Sequence, residues 1–295
     1  MYSIKKILVP VDFSDNSMIA LDYACNIAKL AEAQLILVHV IESLPSNNTP
    51  FIFTNPAIDS YQAKIVEMCT SQLTEIAANY TAKYGVTVNH ASVIGRTHRD
   101  IKDFSEKIKA DLIVMGTHGT SGLREFVAGS NTFRVVTDAT CPVLSIQLNT
   151  TSVNCNTILV PFRDKPHSRE KVDYAIAFAK ICGAKILVLG IDTEQDEEHL
   201  KRIQLEGNQI FNIVEASGVK CDLKVIAADY RPDLVINYAK ENNADLIVAM
   251  SDLDKDSIME YFTGSFAQQL VNHSTIPVLS IQPMFNTDTV DLRFY

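Results

Sequence analysis

Ile7-Leu8-Val9-Pro10 recurs as Ile158-Leu159-Val160-Pro161, and Pro142-Val143-Leu144-Ser145-Ile146-Gln147 returns unchanged as Pro277-Val278-Leu279-Ser280-Ile281-Gln282. Between these ends, Asp22-Tyr23-Ala24 matches Asp173-Tyr174-Ala175, and Ala28-Lys29 matches Ala179-Lys180, at one offset of 151 residues. Asp111-Leu112-Ile113-Val114 matches Asp245-Leu246-Ile247-Val248 at an offset of 134. A repeat near 140 residues is too long for a solenoid unit. The chain therefore reads as two tandem domains, expected over residues 1–148 and 155–283, with a tail at 284–295. The polar stretch Leu148–Asn156 has the composition of a join. The shrinking offset makes the second copy about 16 residues shorter, and the expected place is Ser43–Ser60, a Pro-, Asn- and Ser-rich stretch read as a long loop.

Each copy alternates strand and helix. Ile7–Val11 is a continuous apolar run, as expected of a parallel strand buried on both faces. Residues Asn16–Ala33 carry Ala20, Ala24, Ile27, Ala28 and Ala31 at helical spacing. Leu35–Ile41 reads as a strand, Ala57–Tyr84 as a helix, Val86–Val93 as a strand and Asp100–Lys109 as a helix. Asp111–Met115, a helix over Leu123–Thr137 and a last strand Val143–Gln147 complete the unit. This order predicts an α/β fold: two tandem, open, parallel five-stranded sheets, doubly wound with helices on both faces. Ligands of such sheets sit beyond the carboxyl ends of the strands, where strand order reverses.

Composition narrows the function. With 26 Lys+Arg against 35 Asp+Glu the net charge is −9, which argues against a dedicated DNA or RNA binder. No apolar run reaches the roughly 20 residues that cross a bilayer, and the N-terminus does not resemble a signal peptide, so a cytoplasmic protein is expected. Six cysteines without a CxxC pair and seven scattered histidines support neither a disulfide scaffold nor a metal site. The cysteines read as small, partly buried apolar residues in a reducing compartment.

The chemistry concentrates after the fourth strand. Gly116-Thr117-His118-Gly119 follows it directly, and Gly129-Ser130 comes nine residues later. Glycines there permit positive φ and let main-chain N–H groups approach an anion. Gly129-Ser130 would open the helix Asn131–Thr137, whose free amides and positive dipole end favour phosphate, with Ser130 as cap and donor. Glycines that merely turn the chain are the competing explanation.

The spacing Gly116-x-x-Gly119, nine residues, Gly129-Ser130, set between Leu112–Met115 and Cys141-Pro142-Val143, resembles the signature of the universal stress protein family. The start Ile7-Leu8-Val9-Pro10-Val11-Asp12-x-Ser14 is similar to that family's first strand and loop, and the resemblance covers nearly the whole chain as two copies. It implies an adenine nucleotide alpha hydrolase-like domain that in one subgroup binds ATP, with or without Mg. Carried over, it puts Pro10, Val11 and Asp12 at the adenosine, with Asp12 hydrogen-bonding it. Val40 would offer its backbone to adenine. Met115 and Gly116 would lie against adenine and ribose, while Gly119, Gly129, Ser130 and Asn131 would hold the phosphates. Arg96, His118 and Arg124 are more often solvated loop residues and are left outside this set.

The second copy lacks the loop. Its counterpart is Ala249-Met250-Ser251-Asp252-Leu253-Asp254-Lys255-Asp256, three aspartates that would repel a triphosphate. Only Gly264-Ser265 survives, and Arg163 stands where the first copy has Asp12. The aspartates alternate like the start of a calcium loop, but the glycine and glutamate that loop needs are missing. Nucleotide is thus expected in the first domain only. The resemblance also implies that the two last strands pair within the chain as a pseudo-dimer, removing two sheet edges; whether two chains then form a homodimer is left open. The leading expectation is an ATP-binding stress-response or regulatory protein with a protein partner, no nucleic acid and no membrane. The alternatives are a slow ATPase or phosphotransferase, and an interaction protein that binds no nucleotide. No GxGxxG follows the first strand, which leaves a dinucleotide enzyme without support.

Overall fold

The computed structural model describes residues 2–42, 56–117, 130–148, 150, 155–165, 168–251 and 265–283, with only the backbone at 56–59. The first half runs β1 (Lys6–Pro10), α1 (Asp15–Ala31), β2 (Gln34–Glu42), α2 (Pro56–Tyr84), β3 (Val88–Gly95), α3 (Thr97–Ile108), β4 (Leu112–Gly116), α4 (Ser130–Asp138) and β5 (Val143–Ile146). The second runs β6 (Thr157–Phe162), α5 (Lys171–Cys182), β7 (Lys185–Asp192), α6 (Glu197–Ala216), β8 (Cys221–Ala227), α7 (Pro232–Glu241), β9 (Leu246–Met250), α8 (Phe266–His273) and β10 (Val278–Ile281). The expected alternation is present, with α3 starting at Thr97 rather than Asp100 and β3 ending at Gly95 rather than Val93. The tail 284–295 and the aspartate stretch 252–256 lie outside the described residues.

The strands form one ten-stranded sheet in the order β3-β2-β1-β4-β5-β10-β9-β6-β7-β8. Neighbours within each half are parallel, and the halves join through antiparallel β5 and β10, where Leu144 faces Leu279. The expected intrachain pairing of the repeated Val-Leu-Ser-Ile strands is therefore present, and it turns two sheet edges into a seam. Successive residues of β1 point to opposite faces: Ile7 and Val9 enter a core under α1, α2, α5 and α6, Leu8 a core under α3, α4, α7 and α8. That two-sided burial is why the strand reads as an unbroken apolar run. No helix among the described residues is long and apolar enough to cross a membrane.

The shorter second copy is not explained by a lost loop alone. Residues 43–55, which hold most of the stretch read as a loop, lie outside the described residues. However, α6 has 20 residues where α2 has 29, so the helix itself absorbs part of the deletion. A shorter helix still packs when its buried stripe keeps the helical period, and Ile203, Ile210 and Val214 keep it in α6.

Candidate functional site

In the first half β1 lies between β2 and β4, so the chain's crossovers diverge there and leave a crevice at the carboxyl ends of these strands. After Pro10 the Val11 N–H still donates to Val38 O (2.9 Å), which carries the chain alongside β2. Asp12 Oδ1 then accepts from the backbone N–H of Ser14 (3.1 Å) and from its hydroxyl (2.5 Å). Ser14 caps α1 by accepting from Ser17 N–H (3.3 Å). Asp12 therefore organises the helix start while it lines the crevice; the two roles weighed for it coexist. Phe13 is held at φ 65°, a left-handed conformation that β-carbon crowding disfavours. Its ring lies 4.5 Å from that of His39. His39 Nδ1 is 2.7 Å from Val11 O, and since a carbonyl only accepts, the proton sits on Nδ1 and leaves Nε2 as acceptor in the neutral ring.

The other walls come from β2, β4, α3 and α4. Gly116 ends β4, and a β-carbon there would lie 2.6 Å from Asn16 Nδ2 and 2.9 Å from Asn16 O. Close approach of α1, not a positive φ, is what requires glycine at this position. Thr132 Oγ1 donates to Gly116 O (2.8 Å) and draws the first turn of α4 onto the strand end. Ser130 is the first described residue of α4, so its expected role as the cap falls at the border of the described residues. Across the crevice, Thr97 Oγ1 donates to Glu42 Oε1 (3.1 Å), tying α3 to the end of β2.

Together these elements enclose a cleft of about 400 Å³, a size that suits a small organic ligand. Pro10, Val11, Asp12, Val40, Met115, Gly116, Ser130 and Asn131 all line it. Gly119 and Gly129, with His118 and Arg124, lie outside the described residues. Arg96 is exposed and is not among the lining residues. Sequence reasoning missed Ser17, Val38, His39, Ile41, Glu42, Thr97, Ile101 and Thr132. The alternation of β2 could have pointed to Val38 from Val40, but the approach of α3 depends on tertiary packing. Val11, Val38, Val40, Ile101 and Met115 make the interior apolar, and Asp12, Ser17, Glu42, Thr97, Ser130 and Asn131 supply polar groups. The described lining carries two carboxylates and neither lysine nor arginine. An anionic ligand would rely there on main-chain amides, the α4 dipole or an accompanying cation.

The universal stress protein family profile matches residues 3–147 and again 154–282. The chain belongs to the universal stress protein family. A universal stress protein of Methanocaldococcus jannaschii is 34% identical over 145 residues, covering 48% of this chain and 82% of its own length. One from Bacillus subtilis is 30% identical over 145 residues, 48% of this chain and 98% of its own. Each of them matches about half of this chain. The crystal structure of a universal stress protein from Archaeoglobus fulgidus superimposes over 96% of this chain and 97% of its own, with a TM-score of 0.73 at 18% identity. At that identity it speaks for the fold, including the tandem arrangement.

The second universal stress protein repeat offers an internal comparison. Met250 pairs with Ile281 as Gly116 pairs with Ile146, so Met250 occupies the Gly116 position. Tyr230 comes from the connection between β8 and α7, the counterpart of the turn between β3 and α3 that leads into Thr97. The shared Gly-Ser pair puts Phe266 at the Asn131 position, and Arg163 replaces Asp12. Tyr230 stacks on Phe266 with centroids 4.2 Å apart, and Arg163 Cζ lies 4.6 Å from the Tyr230 centroid. The space left between Arg163, Tyr230, Met250 and Phe266 is about 10 Å³, room for one water at most.

Proposed function

We propose that the first domain binds an adenine nucleotide, ATP with or without Mg, and that the protein is a cytoplasmic stress-response regulator whose ligand alters its affinity for a protein partner. The observation that carries this reading is the convergence of eight of the ten residues named from sequence on one 400 Å³ cleft at the sheet's switch point. Apolar walls around Val40 and Met115 suit a purine face, Asp12 suits a ribose hydroxyl, and the amino end of α4 suits phosphate. The filled cleft of the second domain supports one nucleotide per chain rather than two. Binding that orders the cleft's rim would shift the population of a partner-competent conformation.

Isothermal titration with ATP, with and without Mg, tests the reading. One site per chain is expected; no heat in either condition overturns it, and two equivalent sites overturn the assignment to the first domain. Mass spectrometry under native conditions adds the stoichiometry of any adenine nucleotide that co-purifies.

A further inference from the structure

Cys155 and Cys182 stand where the first repeat has Ile4 and Ala31, at the same offset of 151 residues. The backbone frame around the two pairs is the same. In the second half Lys185 N–H donates to Asn156 O (2.9 Å), and Asp245 Oδ2 accepts from Asn156 N–H (2.7 Å) and Thr157 N–H (3.0 Å). In the first half Gln34 N–H donates to Lys5 O (2.8 Å), and Asp111 Oδ2 accepts from Lys5 N–H and Lys6 N–H (2.8 Å each). One repeat fills this corner with two aliphatic side chains of the core, the other with two thiols. The two cysteines lie in the same core cluster, and their side chains interact. Cys155 is 5% exposed, while Cys182, the last residue of α5, is half-buried and reachable from solvent.

We propose that Cys155 and Cys182 are a reversible dithiol–disulfide pair, oxidised by peroxide, that cross-links the entry of β6 to the end of α5. Cys182 is the attacking sulfur. It is the sulfur that solvent reaches, and its interaction with Cys155 holds its thiol below the ordinary range although burial and Asp245 push the other way. The Cys182 thiolate attacks one oxygen of hydrogen peroxide, the O–O bond breaks, and the departing hydroxide takes up a proton as water. Cys155 sulfur then displaces the hydroxyl of the resulting sulfenic acid; the S–S bond forms, the S–O bond breaks, and the Cys155 proton leaves with the second water. Two thiols and one peroxide give one disulfide and two waters. The rigid ends at Gly183 and Asn156 bring the partners together beforehand, which raises the effective concentration of the second thiol. Tyr23 of the first half belongs to the same core cluster as both cysteines, and α1 packs against α5, so the pair sits near the contact between the repeats.

The test is peroxide treatment of the reduced full-length chain, followed by thiol alkylation, proteolysis and mass spectrometry. Alkylatable thiols should fall from six to four, with a peptide linking residues 155 and 182 that dithiothreitol separates. Cys155→Ser should leave a Cys182 sulfenic acid that dimedone traps. Cys155→Ile with Cys182→Ala copies the first repeat's own packing, so it should fold and keep all four of its thiols after peroxide. Six thiols surviving in the wild type, a linkage between other cysteines, or overoxidation of Cys182 without the link would each overturn the proposal. So would loss of thiols from the Ile/Ala variant.

Discussion

The guanidinium carbon of Arg163, the residue at the Asp12 position, lies 4.6 Å from the centroid of the Tyr230 ring. A cation–π contact of this kind contributes about 0.5–2 kcal/mol, and Tyr230 adds a ring stack on Phe266. The same fold thus holds an open cleft in one half and an aromatic plug in the other, built from Arg163 and Phe266 at the Asp12 and Asn131 positions with Tyr230 in contact with both.

Nucleotide affinity should accordingly answer to Asp12 and ignore Arg163. Asp12→Asn keeps an oxygen for the Ser14 donors but removes the charge that would hold a ribose hydroxyl. Hydrogen bonds to charged groups are worth about 1.5–3 kcal/mol, so affinity should fall roughly 10- to 150-fold. Arg163→Ala should leave it unchanged. Calorimetric titration of both variants decides the point, and equal losses would place the ligand elsewhere.

Gly116→Ala should destabilise the fold itself. The added methyl meets the Asn16 side chain at 2.6 Å and its carbonyl oxygen at 2.9 Å, and backbone cannot swing aside as a flexible side chain can. Overpacking of this kind costs about 1–3 kcal/mol. Urea unfolding should show a lower midpoint at unchanged slope; an unchanged midpoint would mean that α1 moves freely.

The fold was legible because its strands are buried on both faces and its repeat is nearly literal: Ile7–Pro10 and Pro142–Gln147 declare strands, order and pairing together. Asp12, Val40 and Gly116 were legible because they sit at strand ends, which the switch-point rule marks in advance. Glu42 and Thr97 were not, since their meeting depends on how α3 packs beside β2 and no local spacing encodes that. The reason for Gly116 was misread for a related cause. Sequence suggests a turn glycine, whereas the structure shows a neighbour too near for any side chain. The role of Tyr230 as a plug was likewise hidden, because it meets Arg163 and Phe266 only through tertiary packing.

Stability should fall at acid pH through Asp192. Its carboxylate is 2% exposed, hydrogen-bonded to His199 Nδ1, and accepts from the Gln195 N–H at 3.0 Å. Burial alone would raise its pKa, but the bonds from His199, Gln195 and Glu194 outweigh it and hold the group below the ordinary aspartate range. A depressed folded value means that the unfolded chain binds the proton first. The contribution is therefore complete above about pH 4 and disappears as pH falls through the lower folded value. Asp192→Asn should cost about 2–3 kcal/mol at neutral pH and flatten the acid limb. Unfolding curves at neutral pH and near pH 3 measure both effects, and parallel pH profiles for the two proteins would refute the assignment.

The seam between the repeats carries a removable cost. Ser145 and Ser280 sit opposite Val278 and Val143 in the antiparallel pair, at 0% and 2% exposure. Neither hydroxyl oxygen has a hydrogen-bond partner among the described residues. A hydroxyl buried without a partner forfeits its water and gains nothing in return, at about 1–3 kcal/mol each. Alanine removes one oxygen and leaves only a small void, so Ser145→Ala and Ser280→Ala should each be neutral or stabilising by about 1 kcal/mol, additively within a few tenths if the sites are independent. A core substitution that shortens a side chain normally destabilises, which makes the sign informative. Chemical denaturation of the two single variants and the double variant reads it directly; a loss above about 1 kcal/mol in either single variant would mean that the hydroxyl has a partner in solution and that the seam is wetter than its burial implies.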